Sequence, residues 1–246
     1  MKKIIIGNWK LNLDHLEAIQ LLQKLNYTIE EGKEEKIDIV VSPSHTSLRS
    51  IQTIIDTDKL NIQLSAQDVS QFSGGAYTGE VSSHQLNKLN VNYCIVGHSE
   101  RRIELNESDE VINQKVHNLV SEGITPIVCF GETLEQRNSN KYLEHITNQI
   151  NSAVKGLRKD KVENLVFAYE PIWAIGSGLT PSLDEINEIH NFIKNEIQGY
   201  ENYKILYGGS VKSANSKEIL NLDNVDGLLI GGASLNIDEF NKILSL

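Results

Sequence analysis

The chain carries one carboxylate at a position suited to a mobile catalytic base. Glu170 directly follows the apolar run 165–168 and directly precedes Pro171. The run is typical of a buried strand, and proline cannot continue a helix or a ladder, so the chain is expected to turn outward here. Gly176 and Gly178 follow an apolar segment and allow close approach of backbone N–H groups to a ligand. This composition predicts a lid that closes and excludes water. A buried loop with a capping glutamate is the alternative that the segment alone leaves open.

Eight short apolar runs recur along the chain with helix-like segments between them. Each run is too short for a helix and too continuous for a strand with one wet face, which indicates buried parallel strands. The runs are 3–6, 37–41, 62–66, 92–96, 124–130, 165–168, 204–207 and 227–230. Eight such repeats in 246 residues favour an α/β fold, a (β/α)8 barrel with an all-parallel closed sheet and outer helices. We expect residues 1–246 to form this barrel as a single domain.

The segments between the runs show helical spacing and helix-end signals. Ser182 with Glu185 three residues later predicts a capping box at the start of one helix. Gly123 predicts the end of another helix. The first predicted buried helix face contains Leu16, Ile19, Leu22 and Leu25.

Reactive residue types follow several of the predicted strands. In such a barrel the loops after the strands share one rim, where the active sites are built. Each residue has a structural alternative, because a lysine is often a solvated charge, a histidine a cap and a glycine pair a turn. Convergence of these groups on one rim indicates a site. The candidates are Asn8, Lys10, His98, Glu170, Gly209, Ser210, Gly231 and Gly232.

The two glycine-rich turns indicate the class of ligand. Loops after the seventh and eighth strands of these barrels commonly bind phosphate with their N–H groups and a helix N-terminus. A phosphate ester is therefore the expected substrate, with Lys10 supplying a positive charge. A carboxylate base such as Glu170, beside a neutral imidazole donor such as His98, suits proton abstraction next to a carbonyl. The sequence shows no dinucleotide fingerprint and no metal-binding spacing, so we expect no cofactor and no metal.

The chain resembles the triosephosphate isomerase family in an ordered set of motifs that spans the sequence. They are GNWK at 7–10, AQD at 66–68, GAYTGE at 75–80, GHSERR at 97–102, CFGE at 129–132, AYEPIWAIG at 168–176, YGGSV at 207–211 and GGASL at 231–235. The resemblance implies a TIM-barrel isomerase of glycolysis and gluconeogenesis. Such an enzyme interconverts dihydroxyacetone phosphate and D-glyceraldehyde 3-phosphate through an enediolate, without a cofactor.

The resemblance also implies a role for each candidate. Glu170 is the base, His98 is the electrophile, and both Lys10 and Asn8 polarise substrate oxygens. The phosphate-binding residues are Asn8, Lys10, Gly176, Ser210, Gly231 and Gly232.

Further residues have implied supporting roles. Glu100 supports the polar network, Cys129 packs near the base, and Trp173 with Glu132 positions the lid. Ile175 and Leu229 form an apolar clamp over the carboxylate.

The loop from Gln67 to Glu80 corresponds to the arm that enters a second subunit of a homodimer. Thr78 would approach the partner's Asn8 and Lys10 region, and Glu80 would pair with Arg101. A surface Ω-loop is the structural alternative.

Composition restricts partners and compartment. The net charge of -10 argues against nucleic acid and against an anionic membrane surface. The N-terminal apolar run is too short for a signal peptide, and no later segment is long enough to span a bilayer. Cys94 and Cys129 lie far apart, without disulfide or zinc signatures. We expect a cytoplasmic homodimer that acts on a small phosphorylated triose.

Two other functions remain open on the sequence. Another phosphate-binding barrel is possible, but an aldolase needs a Schiff-base lysine at a strand end, and the central strands carry none. A non-catalytic barrel used as a binding module is expected to have lost Lys10, His98 or Glu170, and all three are present.

Overall fold

The eight predicted strands close into a barrel. The structure is a computed structural model that describes residues 2–29, 37–162, 164–175, 179–196 and 203–245. Each strand pairs with its sequence neighbour, β8 pairs with β1, and all eight pairings are parallel. The prediction of an all-parallel closed sheet is confirmed. The strands are β1 (Lys3–Asn8), β2 (Ile37–Ser42), β3 (Gln63–Ala66), β4 (Tyr93–Val96), β5 (Thr125–Phe130), β6 (Val166–Tyr169), β7 (Lys204–Tyr207) and β8 (Gly227–Ile230).

Helices surround the barrel and connect its strands. In the ranges that the structure describes they are α1 (His15–Thr28), α2 (Leu48–Asp58), α3 (Ser83–Asn87), α4 (Ser99–Glu104), α5 (Asp109–Ser121), α6 (Leu134–Asn138), α7 (Tyr142–Val154), α8 (Lys159–Val162), α9 (Leu183–Glu196), α10 (Ser213–Leu220) and α11 (Ile237–Leu244). None of these helices is long and apolar enough to cross a membrane.

Both faces of the strands are buried, which explains the continuous apolar runs. Within β1, Ile4 and Ile6 belong to a cluster inside the barrel, whereas Ile5 packs in a separate cluster between the sheet and the helices. Alternate residues of a strand point to opposite faces, so both sets must be apolar. The filled interior leaves the rim as the place where polar side chains can meet.

Helix ends follow the predicted signals, and one predicted helix face is confirmed at Leu22 and Leu25 but wrong at Leu16. Ser182 and Glu185 form both hydrogen bonds of a capping box at α9, and Gly123 has φ +76° after α5. In α1, however, Leu16 is 58% exposed, and the buried residues include Ala18 and Leu22. Leu16 precedes Ala18 by two residues, about 200° around the helix, so the two side chains point in nearly opposite directions.

Candidate active site

A cavity of about 670 Å³ opens at the carboxyl ends of the strands. Because the strands are parallel, residues that follow different strands meet at this rim. On one side of the cavity lie the polar and charged side chains predicted after β1 and β4. On the other side lie the predicted glycine turns and apolar residues. The predicted residues that line it are Asn8, Lys10, His98, Glu100, Gly209, Ser210, Ile175, Leu229, Gly231 and Gly232.

Glu170 does not line this cavity, and its side chain lies directly behind two residues that do, His98 and Gly208. The residue directly follows β6 and is only 1% exposed. Its backbone N–H donates to the Phe130 carbonyl at 2.8 Å. Its Oε2 accepts the Ser99 N–H at 2.8 Å, and its Oε1 lies 3.1 Å from His98 Nε2. A rotation of the side chain would bring the carboxylate from Ser99 toward a bound ligand.

The hydrogen bonds around His98 define its protonation. His98 precedes α4, and the Glu100 N–H donates to its Nδ1 at 3.2 Å. A nitrogen that accepts a hydrogen bond carries no proton, so the ring proton resides on Nε2. The ring is therefore a neutral imidazole whose Nε2–H can donate to a substrate oxygen.

Lys10 is held in an unusual backbone conformation. Its φ is +51°, in the left-handed region. The Gln67 side chain donates to the Lys10 carbonyl at 2.9 Å, and the Lys10 N–H donates to Asn8 Oδ1 at 3.1 Å. The ammonium forms an ion pair with Glu100 Oε1 at 2.6 Å. Desolvation alone would raise the pKa of Glu100, but the hydrogen bond from Lys10 and the electrostatic influence of the His98 and Lys10 side chains together keep this pKa below its usual value.

The glycine turns after β7 and β8 face the same cavity. An added Cβ at Gly231 would lie 3.2 Å from Lys10 Cε, so this backbone and the lysine approach each other closely. Ser210 Oγ donates to the Ala174 carbonyl at 3.2 Å and thereby joins the β7 loop to the start of the predicted lid. Gly176, the remaining predicted phosphate ligand, lies outside the described residues.

Known proteins share this sequence and this architecture. The triosephosphate isomerase family matches residues 3–246. The triosephosphate isomerase of Saccharopolyspora erythraea is 45% identical over 249 residues, covering 99% of this chain and 95% of that protein. The protein of the same name from Corynebacterium efficiens is 46% identical, with 98% and 95% covered. A crystal structure of triosephosphate isomerase from Bartonella henselae has a TM-score of 0.86 at 32% identity, covering 99% of this chain and 98% of that one.

The chain belongs to the triosephosphate isomerase family. This membership matches the resemblance that the sequence motifs indicate.

The start of the predicted lid contains the contact between Trp173 and Glu132 that the family resemblance implies. The Trp173 indole N–H donates to Glu132 Oε1 at 2.9 Å. Tyr169 Oη donates to the same oxygen at 3.0 Å, and Arg137 forms an ion pair with it at 3.2 Å. The Glu132 carboxylate is fully buried, so these donors compensate its charge. Together they fix the first segment of the lid, a 3₁₀ helix at Ile172–Ala174.

Cys129 packs inside the barrel near Glu170, the predicted base. It is fully buried, and burial, together with the neighbouring Glu170 charge, raises the pKa of its thiol well above the usual value. A neutral buried thiol acts as a small apolar group. This placement is consistent with a packing role.

The loop from Gln67 to Glu80 is the arm that the family resemblance predicts to enter a second subunit, and its tip is exposed. Thr78 and Glu80 are exposed, and the rings of Phe72 and Tyr77 stack with centroids 3.6 Å apart. Arg101 does not form the expected direct ion pair with Glu80 within this chain. It pairs instead with Asp68, which follows β3, at 2.7 Å and with Glu107, in the loop between α4 and α5, at 2.6 Å. The charge of Glu80 contributes to the raised pKa of Arg101 without a direct ion pair.

Several residues that organise the site were not predicted from the sequence. Ser99 acts through its backbone N–H, for which a sequence carries no signal. Gln67 lies within a recognised motif, but its contact with Lys10 crosses 57 positions. Lys115 is 3% exposed and pairs with Asp68 at 2.7 Å. It lies on the buried face of α5 with Val116 and Leu119, and its sequence position beside these apolar residues was the available signal, since a lysine on an apolar face needs a partner.

Proposed function

We propose that this chain interconverts dihydroxyacetone phosphate and D-glyceraldehyde 3-phosphate in glycolysis and gluconeogenesis. One observation carries the proposal: a single cavity joins the His98 donor and the Lys10 cation to glycine-rich turns, with the Glu170 carboxylate directly behind His98. Membership of the triosephosphate isomerase family supports the same activity.

The substrate phosphate binds at the turns after β7 and β8. Backbone N–H groups at Ser210, Gly231 and Gly232 can approach an anion closely, since glycine leaves the backbone uncovered. Gly176 would add a further amide as the lid closes. Lys10 lies against Gly231 and partly neutralises the dianion, and its ion pair with Glu100 holds the ammonium at the cavity wall.

The reaction moves one proton between two adjacent carbons. Glu170 rotates from Ser99 toward the substrate and removes a proton from the carbon next to the carbonyl. The electron pair moves onto the carbonyl oxygen, where the His98 Nε2–H and the Asn8 and Lys10 side chains stabilise the negative charge. A proton then passes between the two substrate oxygens, and Glu170 returns its proton to the neighbouring carbon. Neither a redox cofactor nor a metal enters this balance. The family is itself a standard example of a carboxylate base paired with a neutral histidine.

Lid closure raises the reactivity of the base. Ile175 and Leu229 line the cavity beside the site of the reacting carbons. When the lid brings them against Glu170 they exclude water, and desolvation destabilises the charged carboxylate and makes it more basic. Exclusion of water also protects the enediolate from loss of its phosphate.

The active form proposed is a cytoplasmic homodimer of single-domain subunits. A second cavity of about 400 Å³ lies beside Lys10 and Gln67. Leu11 and Leu105 line it and are 98% and 58% exposed. An arm carrying Thr78 and Tyr77 from a partner subunit suits this cavity, because it would cover apolar surface and support the strained Lys10 loop from outside.

Proton NMR in D₂O tests the activity. The protein is mixed with D-glyceraldehyde 3-phosphate, and the product is followed over time. Dihydroxyacetone phosphate with deuterium at the carbon that receives the proton is expected, because a carboxylate base exchanges its proton with solvent. A protein that forms no dihydroxyacetone phosphate would overturn the proposal. Cleavage of the substrate into smaller carbonyl compounds would instead indicate an aldolase.

A further inference from the structure

Arg102 contacts the loop that carries His98 and the end of β5, the strand that pairs with β6 ahead of Glu170. Its Nε donates to the Gly97 carbonyl at 2.8 Å, and its Nη2 donates to the Cys129 carbonyl at 3.2 Å. Its Nη1 pairs with Asp109 at 2.6 Å. The side chain is 12% exposed, so most of the guanidinium is enclosed by these three partners.

The two carbonyls occupy the positions where the β4–β5 ladder stops. The last paired residues of this ladder are Val96 and Val128. Gly97 and Cys129 are the next residue of each strand, and Arg102 bridges their carbonyls. The guanidinium therefore continues the connection between the two strands by one residue beyond the backbone pairing.

A short path leads from each carbonyl to one of the two proposed reacting residues, His98 and Glu170. Gly97 precedes His98 directly. Cys129 precedes Phe130, whose carbonyl accepts the Glu170 N–H at 2.8 Å. One side chain is thus linked by short, hydrogen-bonded paths to both groups, whose nearest side-chain atoms lie 3.1 Å apart.

The backbone at Gly97 is shaped around this arginine. Gly97 has φ +67°, a conformation that L residues rarely adopt. A Cβ there would lie 3.1 Å from Arg102 Nη2 and 2.9 Å from Ile112 Cδ1. The close approach of backbone and guanidinium leaves little freedom in the turn that delivers His98.

We propose that Arg102 is a positioning residue for the reaction proposed above, on which this inference rests. By holding the Gly97 and Cys129 carbonyls in one plane it fixes the distance and orientation between His98 and Glu170. A planar guanidinium can donate along two directions at once, whereas a lysine ammonium is a point charge without this fork. Asp109 neutralises the arginine and keeps it in place.

Arg102→Lys tests the proposal, because it preserves the charge and the Asp109 partner but loses the fork. We expect kcat to fall about 10- to 100-fold with KM changed less than about threefold, since small misplacements of reacting groups cost rates of this size. Affinity for inorganic phosphate should stay unchanged. Affinity for a phosphorylated hydroxamate, which mimics the planar enediolate between His98 and Glu170, should fall. Arg102→Gln, which removes the charge but keeps one donor, is the second variant and should show the same split.

Lys194→Gln is the matched control. Lys194 also pairs with a carboxylate, Asp226 at 3.3 Å, and donates to a carbonyl, Tyr203 at 2.7 Å. These contacts lie at the amino ends of β7 and β8, away from the cavity. The control should lower the melting temperature without lowering kcat.

Wild-type kcat in either Arg102 variant would overturn the inference. So would a loss of activity that appears equally in phosphate affinity, or an equal kcat loss in the Lys194 control. The proposed function is judged separately, by turnover of the unaltered protein, and stands or falls whatever the Arg102 variants do.

Discussion

Glu170 accepts a backbone N–H and lies beside an imidazole, and this position explains how the proposed base can be buried and still available. The Ser99 N–H holds the carboxylate by a hydrogen bond of 2.8 Å to its Oε2. Oε1 is buried and accepts no well-formed hydrogen bond from the described residues. When the carboxylate turns toward the substrate, it gives up its hydrogen bond from the Ser99 N–H.

His98→Asn should reduce turnover more than binding. Asparagine retains a donor, but it cannot place an N–H where the imidazole Nε2 lies, so the charge that develops on the substrate oxygen loses its main partner. Removal of a donor of this kind costs about 10²- to 10³-fold in kcat. Steady-state kinetics measure the effect, with His117→Asn as control, because His117 lies on α5, where its ring contacts the Lys155 carbonyl, and it does not line the cavity. A tenfold loss or more in the control, or an effect of His98→Asn confined to KM, would contradict this role.

At the scale of the element, the lid is anchored on both flanks. The first flank is fixed by the Glu132 contacts of Trp173, and the second by the Ser182 capping box at α9. Pro181, which is buried, immediately precedes this cap. Proline fixes its own φ and restricts the residue before it.

Pro181→Ala should change lid kinetics without changing the chemistry. We predict that rotation is concentrated at residues 176–178, which lie outside the described residues, so turnover should change by a small factor only. Relaxation dispersion of backbone amides measures where the motion occurs. Dominant motion at Thr180, or loss of activity in Pro181→Ala, would show that the hinge lies elsewhere.

His190 on α9 makes the stability of the fold depend on pH. Its Nδ1 contacts the Asn224 carbonyl at 2.9 Å, the residue is fully buried, and burial lowers its pKa to about 4. Between about pH 6.5 and pH 4 the unfolded chain binds this proton and the folded chain does not, so stability falls as the pH falls.

The difference can be measured by urea unfolding at pH 7 and pH 5. His190 should contribute a loss of about 2 kcal/mol between these pH values. In His190→Gln the pH dependence should be weaker by this amount, because glutamine does not titrate. An unchanged pH dependence would mean that His190 is protonated in the folded state.

The strands were predictable because burial on both faces leaves a strong local pattern. The short helices α3, α4 and α6 were not, because five or six residues carry too little periodicity. Leu16 was misassigned because spacing alone does not tell which of two adjacent stripes on α1 faces the barrel. The predicted candidate residues met at one rim, since the order of strands in a parallel barrel follows the sequence. The contacts of Arg102 and Arg137 were not predicted, because their partners lie on other elements and no local pattern marks them.

At the scale of the whole molecule, we propose that the arm between Gln67 and Glu80 couples assembly to activity. Its base is held by Asp68, which pairs with Lys115 and Arg101. Its tip presents exposed Thr78 beyond the Phe72–Tyr77 ring stack. An arm so anchored and so exposed suits insertion into a second subunit.

Shortening the arm between Gln71 and Tyr77 should therefore give a monomer. The circular-dichroism spectrum should persist, since the barrel strands do not depend on the arm. Most activity should be lost, because Asn8 and Lys10 lose support from outside the chain. Analytical ultracentrifugation measures the assembly state. A shortened protein that remains dimeric would place the interface elsewhere, and an active monomer would show that the site is complete in one subunit.

The proposed role of Glu170 as the base is tested most directly by the turnover of Glu170→Gln with D-glyceraldehyde 3-phosphate. The affinity of the same variant for inorganic phosphate is measured in parallel. Glutamine fits the same space but cannot accept the proton. We predict that kcat falls by about 10²- to 10⁴-fold, as expected for a positioned general base, and that phosphate affinity stays nearly unchanged. A variant that keeps wild-type turnover, or that loses activity only through weaker binding of phosphate, would contradict the assignment of Glu170 as the base.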